Sequence, residues 1–172
     1  YEALERLLRF EKYDVRRLEL SSQASVPAEA NTVIVINPQN LSARHHWEFN
    51  RALHEGKSLM LAIQQYRWNY NVVRQSVSIA KEDQKPEVNP WLNHYGVEID
   101  PAVLLDVNHQ SLTIRDSENP LSALTGGGVT LNLPLHIMIP QDSMNRQVSI
   151  TSRLSPLFYL WGNALRVQND VL

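Results

Sequence analysis

The chain has 172 residues, of which 43% are hydrophobic and 20% are charged, values typical of a globular domain with a hydrophobic core. Its formal net charge of −2 leaves no large excess of one sign, so the charge does not suggest nucleic acid or an anionic membrane surface as the main partner. Because the sequence contains no cysteine, it excludes disulfides, thiolate metal sites and a cysteine nucleophile.

The first predicted element is a helix over residues 1–13, in which Leu4, Leu7 and Leu8 share one face. A short strand is predicted for residues 15–20 from the alternation of apolar and polar side chains. Because the sequence begins inside a helical pattern, we expect it to be a domain cut from a longer protein.

Residues 32–66 carry the clearest pattern, that of a β-α-β unit. The segment 32–36 is almost entirely apolar and β-branched, which is typical of a strand covered on both faces. Ser42 is a suitable N-cap for a helix ending near Glu55, and Gly56 suits the left-handed position that follows it. A second apolar strand over 59–63 then implies a parallel crossover.

A polar segment over residues 66–90 follows, which we call the excursion. Residues 72–79 within it are a candidate for local secondary structure. Residues 90–95 predict a short helix ended by Gly96, and 97–107 predict strand structure interrupted at Asp100. The remaining sequence is β-rich.

Strands are predicted over 111–115 and 129–139, where Pro134 favours an edge strand or a bulge. Residues 155–167 suggest a strand followed by a helix. Together these elements predict a single α/β domain over residues 1–172. Its sheet is open and mainly parallel, as in flavodoxin-like folds, with helices on both faces and a β-rich excursion in the C-terminal half.

No residue set predicts a catalytic centre, a metal site or a cofactor site. The glycine cluster at 125–128 lacks the helix start and lysine of a phosphate loop. His46 and His54 are eight residues apart, which is the wrong spacing for a helical metal site. A Ser-His-Asp triad assembled from distant segments stays open, and with it the alternative of a hydrolase.

Ligands of open α/β sheets bind at the carboxyl ends of the strands. The side chains at these ends, and the aromatic residues that flank the excursion, form the predicted ligand or partner surface: Asn37, Pro38, Gln39, Gln64, Gln65, Tyr66, Trp68, Tyr70 and Trp91. The amides also suit loop capping. The aromatic rings could contact a protein partner, stack on a sugar or attach the excursion to the domain's own core. Because rings can stack on sugars, a carbohydrate-binding module is a further alternative.

The order of segments resembles the GldG-type ABC-transporter auxiliary domain of gliding-motility and uncharacterised transport systems. The resemblance is carried by the segments 13–20, 26–38, 41–42, 54–61, 91–99, 103–106 and 150–154. It implies a fold similar to class I glutamine amidotransferases, without their cysteine nucleophile.

The resemblance further implies a non-catalytic binding or structural domain at the extracytoplasmic, periplasmic face of the bacterial inner membrane, within a longer membrane-anchored protein. Its expected partners are ABC permease and ATPase components or another protein of the same system. The chain itself has no Walker motif and is therefore not expected to be the ATPase.

Overall fold

The structure, a computed structural model, describes residues 1–20, 24–73, 76–114 and 129–168. Its helices are α1 (Glu2–Phe10), α2 (Ala43–His54) and α3 (Asn89–Leu92), the last continued by a 3₁₀ turn over Asn93–Tyr95. Its strands are β1 (Thr32–Ile36), β2 (Ser58–Ala62), β3 (Tyr66–Val73), β4 (Ser76–Asp83), β5 (Val97–Val103), β6 (His109–Ile114), β7 (Val129–Ile139), β8 (Leu157–Leu160) and β9 (Asn163–Val167).

The chain forms two compact units. The first comprises Tyr1–Ile36 and Leu41–Ala62, and the second comprises Asn37–Asn40 and Ile63–Leu172. The first unit contains the predicted β-α-β element: β1 and β2 pair in parallel from Thr32–Ser58 to Ile36–Ala62, and α2 connects them. Gly56 follows α2 at φ +79°, the left-handed conformation predicted for it.

Two details of the first unit differ from expectation. The sheet is not covered on both faces, because the side chains of the neighbouring Ile34 and Met60 are 39% and 57% exposed. The predicted strand over 15–20 is wrong, since this segment has no regular structure. Leu18 is exposed there, and Arg17 is held by the carboxylate of Glu5 at 2.8 Å, so the alternating pattern has no buried face to stabilise.

The second unit consists of small antiparallel sheets. β3 pairs with β4, β5 pairs with β9, and β6, β7 and β8 form a three-stranded sheet in that order. The predicted open parallel sheet with helices on both faces is therefore wrong, and so is its flavodoxin-like and amidotransferase-like form. Among the described strands, only β1 and β2 are parallel.

The physical reason is that the excursion and the C-terminal segments alternate between polar and apolar residues. Such strands close into hairpins with one solvated face rather than into a sheet covered by helices. The helix predicted at the end of 155–167 is also wrong, since this segment forms β8 and β9 around a turn at Trp161 and Gly162, and these strands pair with β7 and β5. Pro134 lies where the pairing of β6 with β7 changes register, which confirms the predicted bulge.

Glu48 is a fully buried charged residue of the first unit. Its side chain on α2 is fully buried, beside the buried Phe49 and Ala52. Its Oε2 accepts hydrogen bonds from Arg51 at 2.8 Å and from the backbone N–H of Val26 at 3.0 Å. Arg44 Nη2 lies 2.6 Å from Oε1 as an ion pair without hydrogen-bond alignment. The carboxylate thus fastens the chain at Val26 to α2.

Burial alone raises the pKa of the Glu48 carboxyl. The hydrogen bonds from Arg51 and Val26, together with the charges of Arg51 and Arg44, lower that pKa by more, so the net shift is downward. The group is therefore ionised in the folded protein, and its charge is balanced within the unit.

We expect Glu48→Gln to lower the free energy of unfolding by about 3 kcal/mol, because it removes one partner of a buried ion pair. Urea denaturation measures this change. Glu55→Gln is the matched control: Glu55 contacts the same Arg51, but its side chain is 37% exposed, so its loss should cost less than about 1 kcal/mol. Equal losses for the two variants would contradict the role assigned to Glu48.

Candidate binding surface

The nine residues predicted as a ligand or partner surface all lie in the second unit, on or around the β3–β4 hairpin or on α3. Tyr66, Trp68 and Tyr70 alternate along β3 and therefore share one face of the hairpin. Gln64 and Gln65 immediately precede β3. Trp91 lies instead on α3, where its ring packs against Tyr95 at a centroid distance of 5.0 Å.

The aromatic face of the hairpin packs onto the unit's own core. Tyr66 is buried, and its hydroxyl donates to the carbonyl of Pro101 at 2.8 Å. The Trp68 ring lies edge-on to Tyr66 and is half-buried. Since Trp91 is buried as well, these rings do not present the exposed row that sugar stacking requires.

A hydrogen-bonded chain of three aromatic side chains, one of them Tyr70, links β3 to two other elements of the unit. The indole Nε1 of Trp161 donates to the Tyr70 hydroxyl at 2.7 Å, and that hydroxyl lies 2.8 Å from His136 Nε2. His136 is a buried residue of β7, and Trp161 lies in the turn between β8 and β9. The chain therefore fastens β3 to the three-stranded sheet.

The tautomer of the imidazole sets the direction of its contact with Tyr70. An indole nitrogen can only donate, so the Tyr70 oxygen accepts from Trp161. A neutral imidazole with its proton on Nδ1 accepts at Nε2 from the Tyr70 hydroxyl. Burial lowers the pKa of His136 and raises that of Tyr70, which favours the same neutral forms.

The backbone at Trp161 is strained to make this contact. Its φ of +56° lies in the left-handed region, which costs a non-glycine residue about 1 kcal/mol. The conformation is held by the bond from its indole to Tyr70 and by the bond from its backbone N–H to the Leu135 carbonyl at 3.2 Å.

The predicted amides brace the open end of the hairpin. Gln39 Nε2 donates to Gln84 at 2.8 Å and to Asn37 at 3.2 Å, while its Oε1 accepts from the backbone N–H of Lys85 at 3.0 Å. Both amide hydrogens of Gln39 are therefore used within the unit. Pro38, which precedes Gln39, and Gln64, which precedes Gln65, are both half-buried. The backbone carbonyl of Gln65 accepts a hydrogen bond from the backbone N–H of Gln84 at 3.0 Å.

An open polar cleft of about 380 Å³ lies at this end of the hairpin. Charged side chains of both signs alternate with amides around it, and its lining comprises Gln39, Asn40, Arg67, Glu82, Asp83, Gln84 and Lys85. Small-molecule sites are usually enclosed and largely apolar, so this cleft suits the edge of a protein contact better than a buried ligand.

The described residues contain a Ser–His pair in hydrogen-bond reach, the feature that would favour a hydrolase. Ser42 Oγ lies 2.7 Å from His45 Nδ1, and the Ser42 backbone N–H donates to the same nitrogen at 3.0 Å. The two residues form a capping box at the start of α2, and neither lines the cleft. Their geometry is explained by the helix terminus.

The glycine cluster at 125–128 lies outside the described residues.

The β4 strand of the hairpin faces solvent over residues 78–83. All side chains over 78–83 are exposed, whereas those of Tyr66, Trp68 and Tyr70 on β3 are buried or half-buried. In the described part of the chain, β4 pairs with no strand other than β3. Sequence reasoning placed only local structure at 72–79 and missed this edge, although the alternation over 76–81 is a signal for a strand.

Sequence reasoning also did not connect His136 or Trp161 with Tyr70, since no spacing pattern links residues so far apart.

Within the described ranges, no three His, Asp or Glu residues are placed to hold a metal ion. The helices that the structure describes are also too short and too polar to cross a membrane.

A family model described as an ABC-type uncharacterized transport system matches residues 1–171. The resemblance to the ABC-transporter auxiliary domain is thereby confirmed. Neither a curated protein nor a solved structure matches the chain.

We expect the stability of the protein to depend on the titration of His136. Its pKa is lowered on folding, so below about pH 6.5 the unfolded chain binds the proton that the folded protein excludes. This contribution to stability is complete above about pH 6.5 and is lost as the pH falls through the folded pKa, with a slope of at most about 1.4 kcal/mol per pH unit.

Urea denaturation of the wild type and of His136→Gln between pH 5 and 7.5 measures this contribution. Glutamine keeps an oxygen acceptor for the Tyr70 hydroxyl but does not titrate. The wild type should lose more free energy of unfolding toward pH 5 than the variant does. Parallel profiles for the two proteins would show that His136 is not held neutral by folding.

Proposed function

Because this chain belongs to the family of ABC-type uncharacterized transport systems, we propose that it is the non-catalytic binding domain of an ABC-transport accessory protein. Its partners are the permease and ATPase components, or another protein, of a transport system of the gliding-motility type. The observation that carries this proposal is the solvent-facing β4 strand, which is fixed in place and has no pairing strand among the described residues on its outer side.

The attachment of the hairpin supports a binding role. Tyr66 and Tyr70 fasten β3 to the rest of the unit through their hydroxyl groups, and Gln39 braces the other end. A surface that is held rigid before binding loses less conformational entropy when a partner arrives. The hairpin therefore presents a surface that is already ordered before a partner binds.

The resemblance to the auxiliary domain supports a cellular location for the proposal. We place the domain on the extracytoplasmic, periplasmic side of the bacterial inner membrane, as part of a longer protein with its anchor outside residues 1–172. The transport system then supplies the partner at the same membrane, and the accessory protein needs no catalytic centre of its own.

Protease accessibility of the intact parent protein tests this placement. We expect the domain to be protected in whole cells and cleaved in spheroplasts whose inner membrane remains sealed. A cytoplasmic ATPase serves as the control for that seal. Cleavage only after lysis of the inner membrane would contradict the proposed location.

Co-purification tests the partnership. We expect the affinity-tagged parent protein, solubilised in mild detergent, to retain the permease and ATPase of its own system, because its binding surface is preformed. An unrelated inner-membrane protein carrying the same tag provides the control. If the permease and the ATPase are recovered no better than with that control, the binding role fails.

A further inference from the structure

The hydrogen-bond pattern of the β3–β4 hairpin shows which backbone groups of β4 point away from β3. The backbone N–H of Gln84 donates to the carbonyl of Gln65 at 3.0 Å, so these two residues form a hydrogen-bonded pair. In an antiparallel ladder, hydrogen-bonded and non-hydrogen-bonded pairs alternate. The pairs Trp68–Lys81 and Tyr70–Ile79 are therefore non-hydrogen-bonded.

Residues in non-hydrogen-bonded pairs direct their backbone N–H and C=O groups away from the partner strand. On β4 these residues include Ile79, Lys81 and Asp83, which alternate along the exposed edge. Their groups repeat every two residues, about 6.8 Å apart. The edge ends at Lys85, whose carbonyl already accepts from the backbone of Asn40 at 2.8 Å.

The geometry points to strand addition, and we propose that an extended segment of a transport-system protein pairs with β4 at Ile79, Lys81 and Asp83. This proposal rests on the binding function proposed above and names its mode. A second extended backbone can satisfy all three outward N–H and C=O groups at once, whereas a side chain or a small ligand satisfies one or two.

The side chains of β4 define the chemistry of that segment. Glu82 and Asp83 are exposed at one end of the edge, and Ile79 is 36% exposed at the other. A complementary strand carries Lys or Arg opposite the two acidic residues and an apolar side chain opposite Ile79. Lys81 lies between them with its Nζ 4.0 Å from the centre of the Tyr66 ring, so its charge is directed over the aromatic face.

A matched pair of variants separates backbone pairing from side-chain contact. Lys81→Pro removes the outward N–H without removing a bond to β3, because Lys81 is in a non-hydrogen-bonded position. Lys81→Ala removes the same side chain and keeps the N–H. The probe is the detergent-solubilised permease–ATPase complex of the same system, titrated against each full-length parent protein.

We expect Lys81→Pro to weaken binding about tenfold, through a lost hydrogen bond and an unpaired carbonyl on the partner. Lys81→Ala should retain affinity within about threefold, as expected for an exposed charge. Equal affinities of Lys81→Pro and the wild type would overturn strand addition while leaving the binding function intact. No binding by the wild type would instead overturn the function itself.

Residue-resolved hydrogen exchange of the wild type tests the same proposal without a variant. In the free protein, the amides of Ile79 and Lys81 should exchange rapidly, while that of Ala80, which is paired with Asn69, is protected. When the complex binds, exchange at Ile79 and Lys81 should slow about tenfold or more. Binding without added protection at these two amides would overturn strand addition, whatever the proline variant shows.

Discussion

The hydroxyl group of Tyr70 is the contact on which the second unit depends most. It accepts a hydrogen bond from Trp161 and lies at hydrogen-bond distance from His136, so a single oxygen connects β3, β7 and the turn before β9. These elements belong to different sheets, and small sheets of two or three strands have little stability alone. The side-chain bonds between them replace part of the cohesion that a continuous hydrophobic core would supply.

This arrangement determines what the hairpin can present to a partner. Because the aromatic face of β3 is turned toward the unit, its rings stabilise the fold and are withdrawn from solvent. The exposed surface of the hairpin includes the backbone edge and the charged side chains of β4. Aromatic residues in a polar stretch suggested a binding surface, but their contribution to binding is indirect: they hold in place the strand that faces outward.

The sequence predicted local elements well where a few neighbouring residues determine the structure. The β-α-β element followed from an apolar strand, the Ser42 cap and the glycine at 56, and the bulge in β7 followed from Pro134. The overall sheet was wrong because strand direction depends on pairing between distant segments. Tyr70 lies 66 residues from His136 and 91 from Trp161, and no periodicity connects such positions.

The candidate surface was predictable to the same limited extent. Gln39 and Gln65 were placed correctly at the ends of strands, but their amide and carbonyl groups close the hairpin, as the turn chemistry of amides also suggested. The edge of β4 could not be recognised from residue types, since its free groups belong to the backbone. Only the register with β3 shows that Ile79, Lys81 and Asp83 direct those groups outward.

An exposed edge strand carries a risk of pairing with copies of itself, and proteins limit that risk with charged side chains along the edge. β4 carries three consecutive charges at Lys81, Glu82 and Asp83, so a second β4 strand in a parallel, in-register pair would place like charges directly opposite each other. A partner with the opposite charges meets no such repulsion. The same residues that restrain self-association thus select for a different chain, which is what an accessory protein of a multi-component transport system requires.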